Sequence, residues 1–347
     1  MLNIAWFSTG RDKAARDLLR VIQTSIKQGE IEAEIPFIFC NRRPVWDIET
    51  ARFFHLATTT YRLPVLYYDW QDFYKVYWRE RTPMAPTASW QISLLPSLEA
   101  SVQAPRPRLV ESFHRRLLRQ RQHRRGKTSP LHQSPLLPDY EMPLLAAKAS
   151  QMRHNSFEEW RLAYDREVMK AIKEMMDPPP DLFVLAGYML IIGAEMCRQY
   201  NMINLHPADP HGPTGSWQEV IWQLIDNQAE TAGAMMHLVT PELDKGPPVA
   251  YCTFPIRGKP FDRYWREIKG QPTEEIKKKQ GENNRLFRLI RQYELAREFP
   301  LITLTLKSLS RGEVSIKNGR VIDAQGKLIS GYNLSDKVDE EVKENLI

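Results

Sequence analysis

Residues 181–207 read DLFVLAGYMLIIGAEMCRQYNMINLHP. Two short apolar runs within it, Leu182–Ala186 and Met202–Leu205, predict parallel strands, because strands covered on both faces are apolar throughout. The second run ends in Asn204-Leu205-His206-Pro207. Side chains alternate faces along a strand, so Asn204 and His206 share a face and Leu205 points away. Pro207 stops the strand and leaves the pair at its C-terminal edge, where open α/β sheets bind ligands.

Working outward, the N-terminal part alternates strands and helices. Leu2–Phe7 reads as a strand, Ser8-Thr9-Gly10-Arg11-Asp12 as a turn, and Lys13–Gln28 as a helix with Leu18, Leu19, Ile22 and Ile26 on one face. Gly29 marks its end. A strand at Ile35–Cys40, a helix at Ile48–Ala57 and a strand at Pro64–Tyr68 follow. This rhythm predicts a mainly parallel, doubly wound α/β sheet. Further on, Ser156-Phe157-Glu158-Glu159 resembles a capping box and opens an amphipathic helix carrying Trp160, Tyr164, Val168, Ile172 and Met175. Pro178-Pro179-Pro180 ends it. A helix at Gln218–Asn227, strands at Ala232–Val239 and Pro248–Pro255, and a helix at Asn284–Phe299 come next. Gly258–Gly281 reads as a lid or surface excursion. Asn318-Gly319 sits between two β-like runs in Glu313–Asp323, a hairpin signal. Glu340–Asn345 reads as a charged tail.

Between Lys75 and His154 the periodicity lapses and prolines recur, which predicts a long, largely disordered insertion. Between Arg106 and Lys127 it holds eight Arg and one Lys against the single acid Glu111, and Val110–Arg125 reads as a short basic amphipathic helix. The whole chain of 347 residues carries only +6, so its basicity belongs to this segment. Residues 106–127 are expected to be a solvated stretch; an acidic protein, nucleic acid or the acidic tail of a folate are alternatives, although no known nucleic-acid reader motif is present. The expected organisation is 1–74 and 155–335 as one domain, 75–154 as the insertion and 336–347 as the tail. Hydrophobic residues make up 42% of the chain, enough for a core. No apolar run reaches the ~18 residues of a membrane span, and the N-terminus reads as a strand, not a signal peptide. Cys40, Cys197 and Cys252 are odd in number and far apart, which argues against disulfides and predicts a reducing, cytoplasmic home.

Downstream of Asn204 and His206, Leu243-Asp244-Lys245-Gly246-Pro247 places an acid in a loop before a strand. An amide, an imidazole and a carboxylate on neighbouring strand ends suit acyl or formyl transfer. The amide and imidazole can face an oxyanion while the acid moves a proton. His237, mid-strand among apolar neighbours, reads as a core histidine. His206, Asp209 and His211 hold metal-ligand types, but Pro207 and Pro210 fix the backbone between them, and no metal is expected.

VLAGYMLII (184–192), INLHP (203–207) and GAMMHLVTPELDKGPPV (233–249) resemble, in order and spacing, the folate-dependent formyltransferases. CNR (40–42) and GEVSIKNGRVIDAQGKLI (312–329) extend the resemblance, which covers residues 1–74 and 155–333. It is strongest to the branch that formylates glycinamide ribonucleotide in purine synthesis. The resemblance implies a Rossmann-like formyltransferase fold with 10-formyltetrahydrofolate as donor and no metal. It implies Asn204, His206 and Asp244 as the catalytic trio. It places the folate ring against Met189, Leu190, Ile191 and Ile192 and against Val239, Thr240 and Leu243. It places the acceptor's phosphate at Thr9, Gly10, Arg11 and Lys13. Two departures stand out: Leu190 replaces an Arg, and the phosphate turn keeps one glycine. A related enzyme acting on another amine, such as an amino-sugar nucleotide, and a non-catalytic folate-binding module are the alternatives.

Overall fold

The computed structural model describes residues 1–81, 91–93 and 154–344. The chain divides into two compact units, one of Met1–Trp70, Ser89–Ser93 and Pro180–Ile347, the other of Gln71–Ala88 and Leu94–Pro179.

The first unit is built on a nine-stranded sheet. Its first strands are β1 (Leu2–Ser8), β2 (Ala33–Cys40), β3 (Val65–Tyr67) and β4 (Gln91–Ser93). The others are β5 (Leu182–Leu185), β6 (Met202–His206), β7 (Thr231–Leu238), β8 (Pro248–Pro255) and β11 (Tyr332–Asn333). They lie in the order β11-β8-β7-β6-β5-β1-β2-β3-β4. From β6 to β3 all neighbours are parallel, as the apolar runs predict. The pairs β6–β7, β7–β8 and β3–β4 are antiparallel. β1 shows the alternation: Ile4 and Trp6 join the core on one face, while Phe7 meets Phe39 (ring centroids 4.7 Å) and Phe183 (5.6 Å) on the other.

Helix α1 (Lys13–Lys27) starts where Asp12 accepts from the Ala15 amide and ends before Gly29, whose φ of 75° suits a left-handed stop. α2 (Ile48–His55) runs into a π-helical turn, Leu56–Thr60. Leu18, Leu19 and Ile22 of α1 and Phe53 and Phe54 of α2 bury against the first face of the sheet. α5 (Ala194–Gln199), α6 (Trp217–Asp226), α7 (Asp262–Ile268) and α8 (Thr273–Gln280) follow in chain order. The last two occupy the stretch read as a surface excursion.

α9 (Arg285–Ser310) contradicts the expected stop at Phe299. Pro300 removes one amide from the ladder, yet the helix continues because Leu301, Ile302, Leu304 and Leu306 are buried in the same core as Leu19 and Ile22. The hairpin of β9 (Val314–Lys317) and β10 (Arg320–Asp323) turns at Asn318 and Gly319, both at positive φ. The stretch read as a charged tail folds into α10 (Ser335–Glu344) and buries Val338. Arg297 of α9 holds it through two hydrogen bonds to Asp339, at 2.8 and 3.1 Å, with its guanidinium 4.3 Å from the Phe254 ring centroid.

In the second unit α3 (Trp70–Arg81, its first residue belonging to the first unit) and α4 (His154–Met175) share an aromatic cluster. Phe73 lies edge-on to Tyr164 at 5.5 Å, and Tyr74 to Trp160 at 5.5 Å. α3 reaches past the expected insertion boundary at residue 75, and β4, within the insertion, pairs with β3. α4 starts at His154, so Ser156 falls inside the helix and not at its cap. The basic stretch 106–127, including the helix read at 110–125, lies outside the described residues. No described helix is long and apolar enough to cross a membrane.

Candidate active site

β6 presents Asn204 and His206 on one face, and the antiparallel register sets His237 of β7 directly opposite Asn204. Opposed residues in a sheet share a face, so His237 joins the pair. It is buried, as its apolar neighbours lead one to expect, and it also faces Asn204. Its Nδ1 lies 2.9 Å from the Leu238 carbonyl oxygen, which can only accept, so Nδ1 carries the proton. Its Nε2 is then free to accept from the Asn204 Nδ2 at 3.3 Å. Burial lowers the His237 pKa, against the smaller opposing effects of the Leu238 carbonyl and Asp244. The ring therefore stays neutral and orients the Asn204 amide.

His206 is buried, and its ring stands edge-on to that of His237 with centroids 6.0 Å apart. Its Nε2 donates to the Pro213 carbonyl at 3.1 Å, which turns Nδ1 toward Asp244 at 3.8 Å. Asp244 also lies 3.7 Å from His237 Nε2. Both distances exceed a hydrogen bond, so the carboxylate sits between the rings as a charge and not as a fixed acceptor.

Two devices bring these groups together. β7 runs antiparallel to β6, so its end lies beside the start of β6, where the Val239 amide bonds the Met202 carbonyl at 2.8 Å. Asp244 reaches His206 because the following loop folds back over the sheet. This differs from the neighbouring strand ends expected from sequence. Gly246 permits the fold: a Cβ there would lie 1.7 Å from the Leu238 carbonyl oxygen. Asp244 itself sits at φ 55°, a region few non-glycine residues occupy and Asp tolerates best. The second device holds Pro213. Asp209 lies against β7 where Gly233 has no room for a Cβ, which would fall 2.9 Å from the Asp209 Cβ. At the other end, Ser216 and Glu219 form a reciprocal capping box that opens α6.

The residues implied as folate contacts fall on two loops. Met189, Ile191 and Leu243 are exposed large apolar side chains, Leu190, Val239 and Thr240 are half-buried, and Ile192 is in the core. The turn after β1 is arranged differently. The Thr9 amide donates to the Gly187 carbonyl (3.1 Å), the Gly10 amide to Ser8 Oγ (3.2 Å), and Thr9 Oγ1 accepts from the Met189 amide (2.9 Å). Arg11 faces Asp12, and Lys13 bonds Asp17. Gly10 has φ 63° and packs on Phe53, so the turn itself already demands glycine. Among the described residues no three His, Cys, Asp or Glu side chains converge as metal ligands.

Residues 138–263 match a family model described as formyl transferase, a span that contains all four polar residues of the site. Over 84 residues the chain is 36% identical to the phosphoribosylglycinamide formyltransferase of Saccharomyces cerevisiae, covering 22% of this chain and 39% of that protein. Over 98 residues it is 35% identical to the enzyme of that name from Escherichia coli, covering 28% and 44%. The chain thus spans less than half the length of these relatives. The phosphoribosylglycinamide formyltransferase structure from Coxiella burnetii, in complex with CHES, superposes over 96% of this chain and 98% of its own, with a TM-score of 0.51 and 17% identity. That likeness is one of fold.

Proposed function

We propose, from a chain whose residues 138–263 carry the formyl transferase match, that this protein transfers a formyl group from 10-formyltetrahydrofolate to a primary amine. The acceptor that fits best is glycinamide ribonucleotide of purine synthesis, in the cytoplasm. The observation that carries the reading is the convergence of Asn204, His206, His237 and Asp244 around one point on the β6 face.

The amine nitrogen attacks the formyl carbon, and the carbonyl oxygen becomes an oxyanion. The C–N10 bond then breaks, N10 takes a proton, and the formamide leaves with tetrahydrofolate. Asn204, with one N–H held by His237, offers its other N–H to the oxyanion. His206 donates from Nε2, which the Pro213 carbonyl holds in the free chain; an oxyanion is the stronger acceptor. Asp244 takes the proton that the amine sheds. Removing one such oxyanion donor costs about 10²–10³ in rate. Met189, Ile191 and Leu243 offer apolar surface to the flat folate ring, with Leu190, Ile192, Val239 and Thr240 supporting it. The acceptor's phosphate lies at Thr9, Gly10, Arg11 and Lys13.

A second acceptor class, an amine on a different anionic carrier such as an amino-sugar nucleotide, is favoured by one observation: the Thr9 and Gly10 amides are already engaged inside the protein. The test is an assay of purified protein with 10-formyltetrahydrofolate and a panel of amines that includes both. Turnover is expected with glycinamide ribonucleotide. Folate binding without transfer to any amine would reduce the chain to a binding module.

A further inference from the structure

α1 and α2 lie side by side, and four basic side chains line a groove of about 510 Å³ between them. Arg16 and Arg20 come from α1, and Arg52 and His55 from α2. Spacings of four and three residues put each pair on one helix face. The α2 side of the groove continues into the π-helical turn, from which Leu56 and Thr60 join the lining; the Tyr61 amide closes that turn on the Leu56 carbonyl at 3.1 Å. Single π turns are rare and recur at functional sites.

The charges of the groove do not cancel. Glu49 pairs with Arg16 and Arg52, and Asp17 pairs with Lys13 and Arg20. Within the groove, Arg16, Arg20 and Arg52 therefore share these two carboxylates, an excess of one positive charge before His55 is counted. The exposed pairs of Arg20 and Arg52 contribute only about 0–1 kcal/mol each to stability, so stability does not explain these two arginines. Arg16 is buried and fixed by Glu49, while Arg20, Arg52 and His55 are exposed.

We propose that this groove binds the phosphate groups of a small polyanion, with Arg16 and Arg20 on one wall and Arg52 and His55 on the other. The excess favours an anion, and guanidinium forks fit phosphate oxygens in bidentate fashion. The volume falls within the ~300–1,000 Å³ of small-molecule sites. The groove sits on the helices that follow β1 and β2, whereas His206 is on β6; β5 lies between β6 and β1 in the sheet. The site is independent of the formyl-transfer reading, since binding is measured directly.

The test is calorimetric titration of the full chain with inorganic pyrophosphate, ATP and adenosine. Pyrophosphate and ATP bind and adenosine does not; ATP binding more tightly than pyrophosphate identifies a nucleotide as the source of the phosphates. Arg20→Gln combined with Arg52→Gln weakens both by at least tenfold, and Arg320→Gln, on the exposed hairpin, leaves them within twofold. Thermal melting checks that the double variant is folded. Should it melt early, His55→Ala serves in its place, with a loss of at least threefold. The absence of heat with both phosphates at millimolar concentration overturns the proposal. So does affinity that ignores the groove variants, or that falls equally with Arg320→Gln.

Discussion

At the end of β6 four polar side chains converge on one another; at the end of β1 the polar atoms bond back into the protein. Asn204, His206 and Asp244 are each held in place by another group, His237, Pro213 or the Gly246 loop. The Thr9 and Gly10 amides spend their hydrogen bonds on the protein itself, and Arg11 and Lys13 spend their charges on Asp12 and Asp17. Two turns at the ends of two strands of one sheet thus differ in what they leave for a ligand. On the proposed reading, the difference separates the chemistry of transfer from the recognition of the acceptor.

Substitutions at the two turns test this contrast. His206→Ala, and separately Asn204→Ala, should lower formyl transfer by about 10²–10³ in steady-state assays while the melting temperature stays near wild type. A normal rate in either removes that residue from the mechanism. Gly246→Ala should destabilise by about 3 kcal/mol in denaturant titration, because its Cβ meets a backbone oxygen that cannot yield. Gly10→Ala should cost less, about 2 kcal/mol: its Cβ meets the Phe53 ring, which can shift, although the positive φ remains.

The next effect depends on pH. The folded pKa of His237 lies below its ordinary value of 6.5. As pH falls through 6.5, the unfolded chain takes up a proton that the native ring refuses, so stability is lost on acidification and is fully present above 6.5. His237→Gln should flatten that part of the stability–pH curve, and an unchanged slope would show that the ring titrates freely. The smallest effect is expected at the other turn. Arg11→Gln with Lys13→Gln should raise the acceptor KM about threefold and leave kcat alone, the scale of exposed ionic contacts. A hundredfold rise would show that the turn reorganises around its ligand.

Local patterns made much of this legible. Strands covered on both faces are apolar runs, so β1, β2, β5 and β6 could be read, and Asn318-Gly319 marked its hairpin. Asn204, His206 and Asp244 stood out as residue types in a spaced motif. His237 did not, because its meaning lies in the Asn204–His237 register, a long-range pairing that its own neighbours in Ala232–Leu238 do not encode. The nearest signal was one polar side chain in an otherwise apolar strand. α9 was cut short at Pro300 because the local rule is sound, and LITLTL beyond it has a β-like composition. Burial of all six of those residues, the four apolar ones in the core, overrides both. α3 was missed although Trp70, Phe73 and Tyr77 keep helical spacing, since aromatic residues favour strands as readily.

The outer edge of β8 carries one more implication, for the order in which the molecule forms. Its partner β11 and the counter-ion of Arg297 both come from residues 332–339. On the ribosome, β8 emerges well before either. Until they arrive its edge has unpaired amides and carbonyls, a template for pairing with another chain, and a guanidinium destined for burial lacks its carboxylate. The nascent protein therefore passes through a stage in which every strand of the site exists but the sheet is not sealed. At that stage a chaperone is most useful to it.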